Sequence, residues 1–248
     1  MTLPLEDNFS DIVGKAMRGL QITDAQLAET AGVTAEAVNQ LRGGAWDETT
    51  ARALAPALGL KTDALCALGH RAYAPAPIAL GGLAQFTTPF EDMTVNSYLV
   101  WDAATGEAIA FDTGADCGEM LALLTEKKLR LALILLTHTH GDHIFDLDRL
   151  KAKTGAPAFT GDREPIDGAE SFAIGRSWTV GALKIETRLT WGHSPGGITY
   201  VVSGLAQPVA IVGDAIFAGS MRRRRRATCW VTGIRQVGCT TGWLTFKE

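Results

Sequence analysis

Residues 129–137 read LRLALILLT, a near-continuous apolar run, and the next six positions, H-T-H-G-D-H, hold three histidines and an aspartate. A strand that is apolar at successive positions is buried on both faces, so the fold must place a covering layer on each side of it. Where such a strand ends, the backbone leaves the hydrogen-bonded ladder and side chains can converge, which is where α/β folds place their chemistry. A chain of 248 residues, 46% apolar and 20% charged, can supply one large core plus a small satellite domain.

The apolar spacing divides the chain. From Phe9 to Gly69 it is helical, and turn signals cut it into short segments. In TDAQLAETAGVTAEAVNQLRGG, Asp24 is expected to cap a helix carrying Leu27 and Ala28; a turn at Ala31-Gly32-Val33 follows, and Thr34 caps a second helix carrying Val38 and Leu41. Pro56, within ARALAPALGL, predicts a kink or break. The pattern resembles the helix-turn-helix of phage-repressor-like proteins. Residues 1–70 carry five basic side chains against nine acidic ones, a balance that disfavours DNA because phosphate neutralisation supplies most such affinity. Docking or dimerisation, with a homo-oligomer through this module, is the expected role.

Residues 70–84, HRAYAPAPIALGGLA, lack a period and read as a linker. The predicted division is a helical domain over 1–69, this linker, a metal-binding domain over 85–220 and a basic tail over 221–248. The N-terminus MTLPLEDNFSDIV has no basic-then-apolar leader, and no run of eighteen uncharged apolar residues occurs, so no membrane span and a cytoplasmic location are expected. The four cysteines, Cys66, Cys117, Cys229 and Cys239, are scattered and are expected to be reduced thiols.

Beyond the linker the period becomes two. TVNSYLVWD and EAIAFDTGA predict a hairpin around Asp102–Gly106, CGEMLALLTEKKL a helix, and LRLALILLT the buried strand. In a tight loop His138 and His140 can point to one side while Asp142 and His143 curl toward a second point, giving two adjacent metal positions. TWGHSPGGITYVV places His193 on a proline-glycine turn before a β-rich run, and PVAIVGDAIF places Asp214 just past a short apolar strand, where a carboxylate can bridge two cations. Asp112, in D-T-G, reads first as a turn residue, with positioning of the metal loop as the alternative; His70 reads as exposed, and Ser194 as no nucleophile because its neighbour His193 is committed to metal.

T-H-T-H-G-D-H, G-H-S-P-G-G and V-G-D-A-I-F, in this order, resemble the metallo-β-lactamase superfamily over roughly residues 84 to 220, and VNSYLV, FDTGA and GDAIFAGS look more like its glyoxalase II branch. The resemblance implies an α+β fold: a four-layered αβ/βα sandwich, here preceded by the small all-α helix-turn-helix domain. By the same resemblance His138, His140 and His193 would hold one metal, Asp142 and His143 the other, and Asp214 would bridge them. The implied cofactor is zinc, one or two ions, with iron or manganese as alternatives.

A cation held by imidazoles and carboxylates lowers the pKa of its water to about 7 and polarises a carbonyl. The expected activity is therefore hydrolysis of a small-molecule thioester or related acyl bond, with Asp142 orienting the attacking water. One alternative is a mononuclear iron persulfide dioxygenase using His138, His193 and Asp214. Another is a regulator whose metal domain senses a ligand.

The resemblance stops after GDAIFAGSM. Residues 221–248 hold seven basic side chains against one acid, leaving 16 basic and 26 acidic in the first 220, and no histidine follows His193. Related chains carry a last histidine on a proline-glycine loop. Five successive arginines, Arg222–Arg226, are what glycine codons of the form GGC give when read two bases later. The expectation is a tail that is out of frame, with a natural basic tail as the alternative and impaired activity as the consequence.

Overall fold

The structure is a computed structural model that describes residues 7–73, 80–217, 220–221, 239–240 and 243–245. It divides into two compact units, one made of Met1–Pro77 with Phe217–Arg223 and the other of Ile78–Ile216 with Arg224–Glu248.

The first unit contains α1 (Phe9–Leu20), α2 (Asp24–Ala31), α3 (Ala35–Arg42), α4 (Glu48–Ala57) and α5 (Thr62–Gly69). Its core is one cluster, centred on Val13, Leu27, Val38, Leu41 and Leu54, all at most 1% exposed. Thr23, not Asp24, is the N-cap of α2: its hydroxyl accepts from the Gln26 amide at 3.3 Å while the Gln26 side chain accepts from the Thr23 N–H at 2.9 Å. A capping box needs its hydroxyl three residues before a Glu or Gln, and only Thr23 has that spacing. Asp24 sits in the first turn and accepts from Arg42 at 2.8 Å. Thr34 caps α3, accepting from the Ala37 amide at 3.1 Å. Helix α4 runs through Pro56 and ends one residue later, so the proline terminates the helix rather than kinking its middle. His70 is half exposed, as expected, yet its Nε2 lies 2.9 Å from Glu48 Oε2 and its ring packs edge-on against Trp46.

In the second unit β1 (Leu83–Phe90), β2 (Met93–Trp101), β3 (Glu107–Phe111), β4 (Arg130–Leu135), β5 (Ala158–Gly161) and β6 (Glu170–Phe172) form one sheet in sequence order. β1, β2 and β3 are antiparallel neighbours; β3 through β6 are parallel. The crossover from β3 to β4 holds α6 (Gly118–Glu126), and that from β4 to β5 holds α7 (Gly141–Ile144) and α8 (Leu147–Thr154). A second sheet has the order β13-β14-β10-β9-β8-β7, from β7 (Ser177–Val180), β8 (Leu183–Leu189), β9 (Ile198–Ser203), β10 (Val209–Ile211), β13 (Cys239–Thr240) and β14 (Trp243–Thr245). Among the described residues β11 (Ile216–Phe217) and β12 (Ser220–Met221) form a two-stranded sheet.

Both faces of the first sheet are covered, as the apolar run of β4 requires. Tyr98, Ile109, Phe111 and Leu135 pack on Ile185, Tyr200, Val202 and Ile211 of the second sheet. On the other side Leu99, Ala110, Ile134 and Leu136 meet Met120, Leu124, Leu147 and Leu150 from α6 and α8. Each such side chain contributes roughly 1.5–3 kcal/mol by leaving water. The outer face of the second sheet alternates, with Lys184, Glu186 and Arg188 pointing away from the core. The described residues thus give three layers, helices on sheet on sheet; a fourth, helical layer is not among them. Arg222–Arg226 and Cys229 lie outside the described residues, and so does most of the tail expected to be out of frame. No helix is long and apolar enough to cross a membrane among the described residues.

Candidate metal centre

Three chain segments meet at one edge of the two sheets. The first is the turn after β4, where His140 precedes the single-turn helix α7 and the His143 amide bonds back to the His140 carbonyl at 3.0 Å. The second is the loop from β8 to β9, which carries His193. The third is the 3-10 turn Gly213–Ala215 after β10, which carries Asp214. Gly213 has φ +50°, and a Cβ there would lie 2.5 Å from the Thr137 hydroxyl, so a glycine is needed for Asp214 to come this close to the residue before His138.

The ligand atoms of His138, His140 and His193 lie within 4.8 Å of one another, and so do those of His138, His143 and Asp214. His193 Nε2 is 2.8 Å from His140 Nδ1. The Asp214 carboxylate stands between the histidines: Oδ1 is 3.2 Å from His143 Nε2, and Oδ2 is 3.3 Å from His193 Nε2. One oxygen facing each side is the disposition a bridging carboxylate needs. Asp142 joins neither set; its Oδ2 is 3.6 Å from His143 Nε2. Five of the six residues expected as ligands therefore converge, with Asp142 at the margin. Ser194 is buried, and its hydroxyl has no hydrogen-bond partner among the described residues.

Asp112, which the sequence suggested was mainly a turn residue, organises the cluster. It is 1% exposed with φ +58°, and its carboxylate accepts from the Thr137 amide at 2.7 Å and the Thr137 hydroxyl at 2.7 Å. His143 Nδ1 is 2.9 Å away and donates to it. Thr113 adds a second tie, its amide bonding the His143 carbonyl at 2.8 Å. The signal available in the sequence was an aspartate two residues before a glycine where an apolar strand ends, since aspartate tolerates the left-handed region.

These bonds fix the tautomers. The Thr137 hydroxyl proton is committed to Asp112, so His138 Nδ1 donates to the Thr137 oxygen at 3.0 Å and its Nε2 carries the lone pair. That Nε2 is buried and has no hydrogen-bond partner among the described residues. A buried lone pair aimed at two imidazoles and a carboxylate fits a cation and little else. Burial first, then the neighbouring imidazoles, pushes His138 down to about 2, so it stays neutral and able to coordinate. Burial also pushes His143 down, but the carboxylates of Asp112 and Asp214 outweigh it and hold the imidazole up at about 10. Asp214 is drawn well below the carboxylate range: burial opposes this, but the hydrogen bond and charge of His143 prevail.

The sequence matches the family model of the metallo-beta-lactamase superfamily over residues 91–237. A probable metallo-hydrolase, YqgX of Bacillus subtilis, is 27% identical over 54% of this chain and 72% of its own. A hydroxyacylglutathione hydrolase of Cereibacter sphaeroides is 34% identical over 49% of this chain and 48% of its own. The chain thus spans about half the length of the hydroxyacylglutathione hydrolases it matches. Among solved structures, ETHE1 from Myxococcus xanthus is 24% identical with a TM-score of 0.47, over 54% of this chain and 59% of that one. On the family match, which takes in more than half of its length, the chain belongs to the metallo-beta-lactamase superfamily.

Proposed function

We propose that this chain is a metal-dependent hydrolase that cleaves a thioester or a related acyl bond. The observation that carries the reading is the placement of Asp214, one carboxylate oxygen toward His143 and the other toward His193, beside the partnerless Nε2 of His138. His138, His140 and His193 would hold one cation, His143 and Asp142 a second, and Asp214 would touch both. Bound there, a divalent cation, zinc in the first instance, supplies Lewis acidity toward a water and a carbonyl.

The chain's own groups divide the remaining work. Asp112 keeps the His143 proton on Nδ1, so that Nε2 faces the centre. Asp142, partly exposed beside His143, would orient the attacking water and accept its proton. The imidazoles are engaged with one another or with carboxylates, so Asp142, once it holds the water's proton, is the group at the centre that would return one to a leaving group. A thiol with an ordinary pKa of about 8.5 departs as a thiolate without help, whereas an amine does not. A thioester therefore asks less of such a site than an amide does, which supports the thioester reading.

The helical unit is read as a helix-turn-helix-type docking or dimerisation module, in a cytoplasmic protein that does not use it to grip DNA. Elemental analysis of the purified chain, together with hydrolysis of simple thioesters, tests the main reading. Bound zinc with cleavage that disappears in Asp214→Asn is expected. A metal-loaded protein inert toward every thioester would overturn it, and iron with oxygen uptake on glutathione persulfide would replace it with the dioxygenase.

A further inference from the structure

Phe145 immediately follows the helix that carries Asp142 and His143, and it is 68% exposed. It is not isolated. The Phe90 ring lies edge-on to it with centroids 5.5 Å apart, and the Cζ of Phe90 is 3.9 Å from where a Cβ on Gly141 would stand. Gly141 lies between His140 and Asp142, so this aromatic pair borders the metal loop itself. Met93, across the β1–β2 turn from Phe90 and paired with it in register, is 41% exposed. Between them Glu91 and Asp92 are exposed carboxylates, and Glu91 takes φ +51° at the tip. Scattered exposed apolar residues need no explanation, but two phenylalanines in edge-on contact and a methionine beside the metal loop form a surface with a direction.

We propose that Phe90, Phe145 and Met93 form the acyl subsite, and that it takes an uncharged aryl or branched-alkyl acyl group whose carbonyl lies at the metal centre. The proposal rests on the hydrolase reading for the identity of the reacting bond. The occupant follows from position and charge. A substrate carbonyl brought to His140 and Asp142 lies beside Gly141, the residue between them, which the Phe90 ring approaches from the β1–β2 hairpin. The carboxylates of Glu91 and Asp92, with Asp142 nearby, repel an anionic acyl group such as a succinyl. Aromatic rings offer a flat face for an aryl group in stacked or edge-on contact.

The test uses the full chain loaded with zinc and a matched set of thioesters of one neutral thiol, N-acetylcysteamine, carrying acetyl, phenylacetyl or succinyl groups. Thioether analogues that cannot be cleaved are measured in parallel by calorimetry. Wild type is expected to favour phenylacetyl over acetyl by about tenfold or more in kcat/KM and in affinity, and to disfavour succinyl. In Phe145→Ala and Phe90→Ala the aryl preference should fall to near unity, and Phe145→Tyr should keep most of it. Glu91→Lys with Asp92→Lys should raise succinyl relative to phenylacetyl several-fold. Circular dichroism and light scattering accompany each variant. If no thioester is cleaved but the analogue preference is present and lost with Phe145, the hydrolase reading fails and the subsite stands. If thioesters are cleaved with equal preference, or if Phe145→Ala alters only the oligomeric state, the subsite is overturned and the hydrolase reading stands.

Discussion

Replacing Asp112 by asparagine changes one atom of a buried group and tests whether this residue sets the chemistry of His143. The backbone at φ +58° accepts asparagine as readily as aspartate. The carboxylate faces three donors: the Thr137 amide on Oδ1, and the Thr137 hydroxyl and His143 Nδ1 on Oδ2. An amide has one acceptor atom. With its oxygen on the Thr137 amide, its NH2 meets His143 Nδ1–H; turned over, its NH2 meets the Thr137 N–H. Metal binding requires His143 to be neutral, and in that form the relief available to the first arrangement is to move the one remaining imidazole proton to Nε2, which then presents a hydrogen toward the centre instead of a lone pair. Losing such an outer partner costs about 10–100-fold in metal affinity, or ~1.4–2.7 kcal/mol. The fold itself should survive, since one mismatched buried donor costs about 1–3 kcal/mol against a usual stability of 5–15 kcal/mol. The assay is competition for zinc against a chromophoric chelator, with the visible spectrum of the cobalt form reporting ligand geometry. Wild-type affinity and an unchanged cobalt spectrum in a natively folded Asp112→Asn protein would refute the tautomer argument.

Three further outcomes are expected. Stripping metal with a chelator should lower the thermal midpoint, because a ligand present at 1,000 times its Kd stabilises by about 4 kcal/mol; an unchanged midpoint would show that the histidine cluster binds no cation in the native state. Cys117 is buried, and burial and the neighbouring Asp146 carboxylate push its thiol up to about 12. The thiolate is therefore scarce until well above pH 10, and mapped alkylation at pH 8 should leave Cys117 unmodified for hours, while rapid labelling would contradict the burial. Residues 1–75 should form no sub-micromolar complex with random duplex near 0.15 M salt, because Arg42 is engaged with Asp24 and Gln40 with Glu36; tight binding with a steep salt slope would return the module to DNA recognition.

Much of this was legible in the sequence because it depends on short-range pattern. The apolar run before Thr137 announced a doubly covered strand, and the proline-glycine turn and V-G-D announced two more places where side chains could leave a ladder. What escaped the sequence was non-local. Asp112 reads first as a turn because threonine and glycine follow it, and its partners lie 25 and 31 positions away. Phe90 and Phe145 are unremarkable singly, and only the packing of the β1–β2 turn against α7 makes them a pair. The shift of the cap from Asp24 to Thr23 is a one-residue matter, decided by Gln26 rather than by which polar residue comes nearest the helix.

His138 and His143 belong to the first sheet's strand ends, while His193 and Asp214 belong to the second's. A cation shared by these residues would be a clasp across the sandwich, closing a loop of about 55 residues between His138 and His193, a constraint that in chain-entropy terms is worth roughly 4 kcal/mol. Metal affinity and sheet-to-sheet packing then draw on a common free energy. A cavity made between the sheets, as by Ile109→Ala or Val202→Ala, should make the protein a weaker chelator before it makes it an unfolded one. Conversely, a chain with a thinned second sheet could still assemble when zinc is plentiful and come apart when it is scarce, so that the supply of metal, rather than temperature, would govern how much folded protein a cell contains.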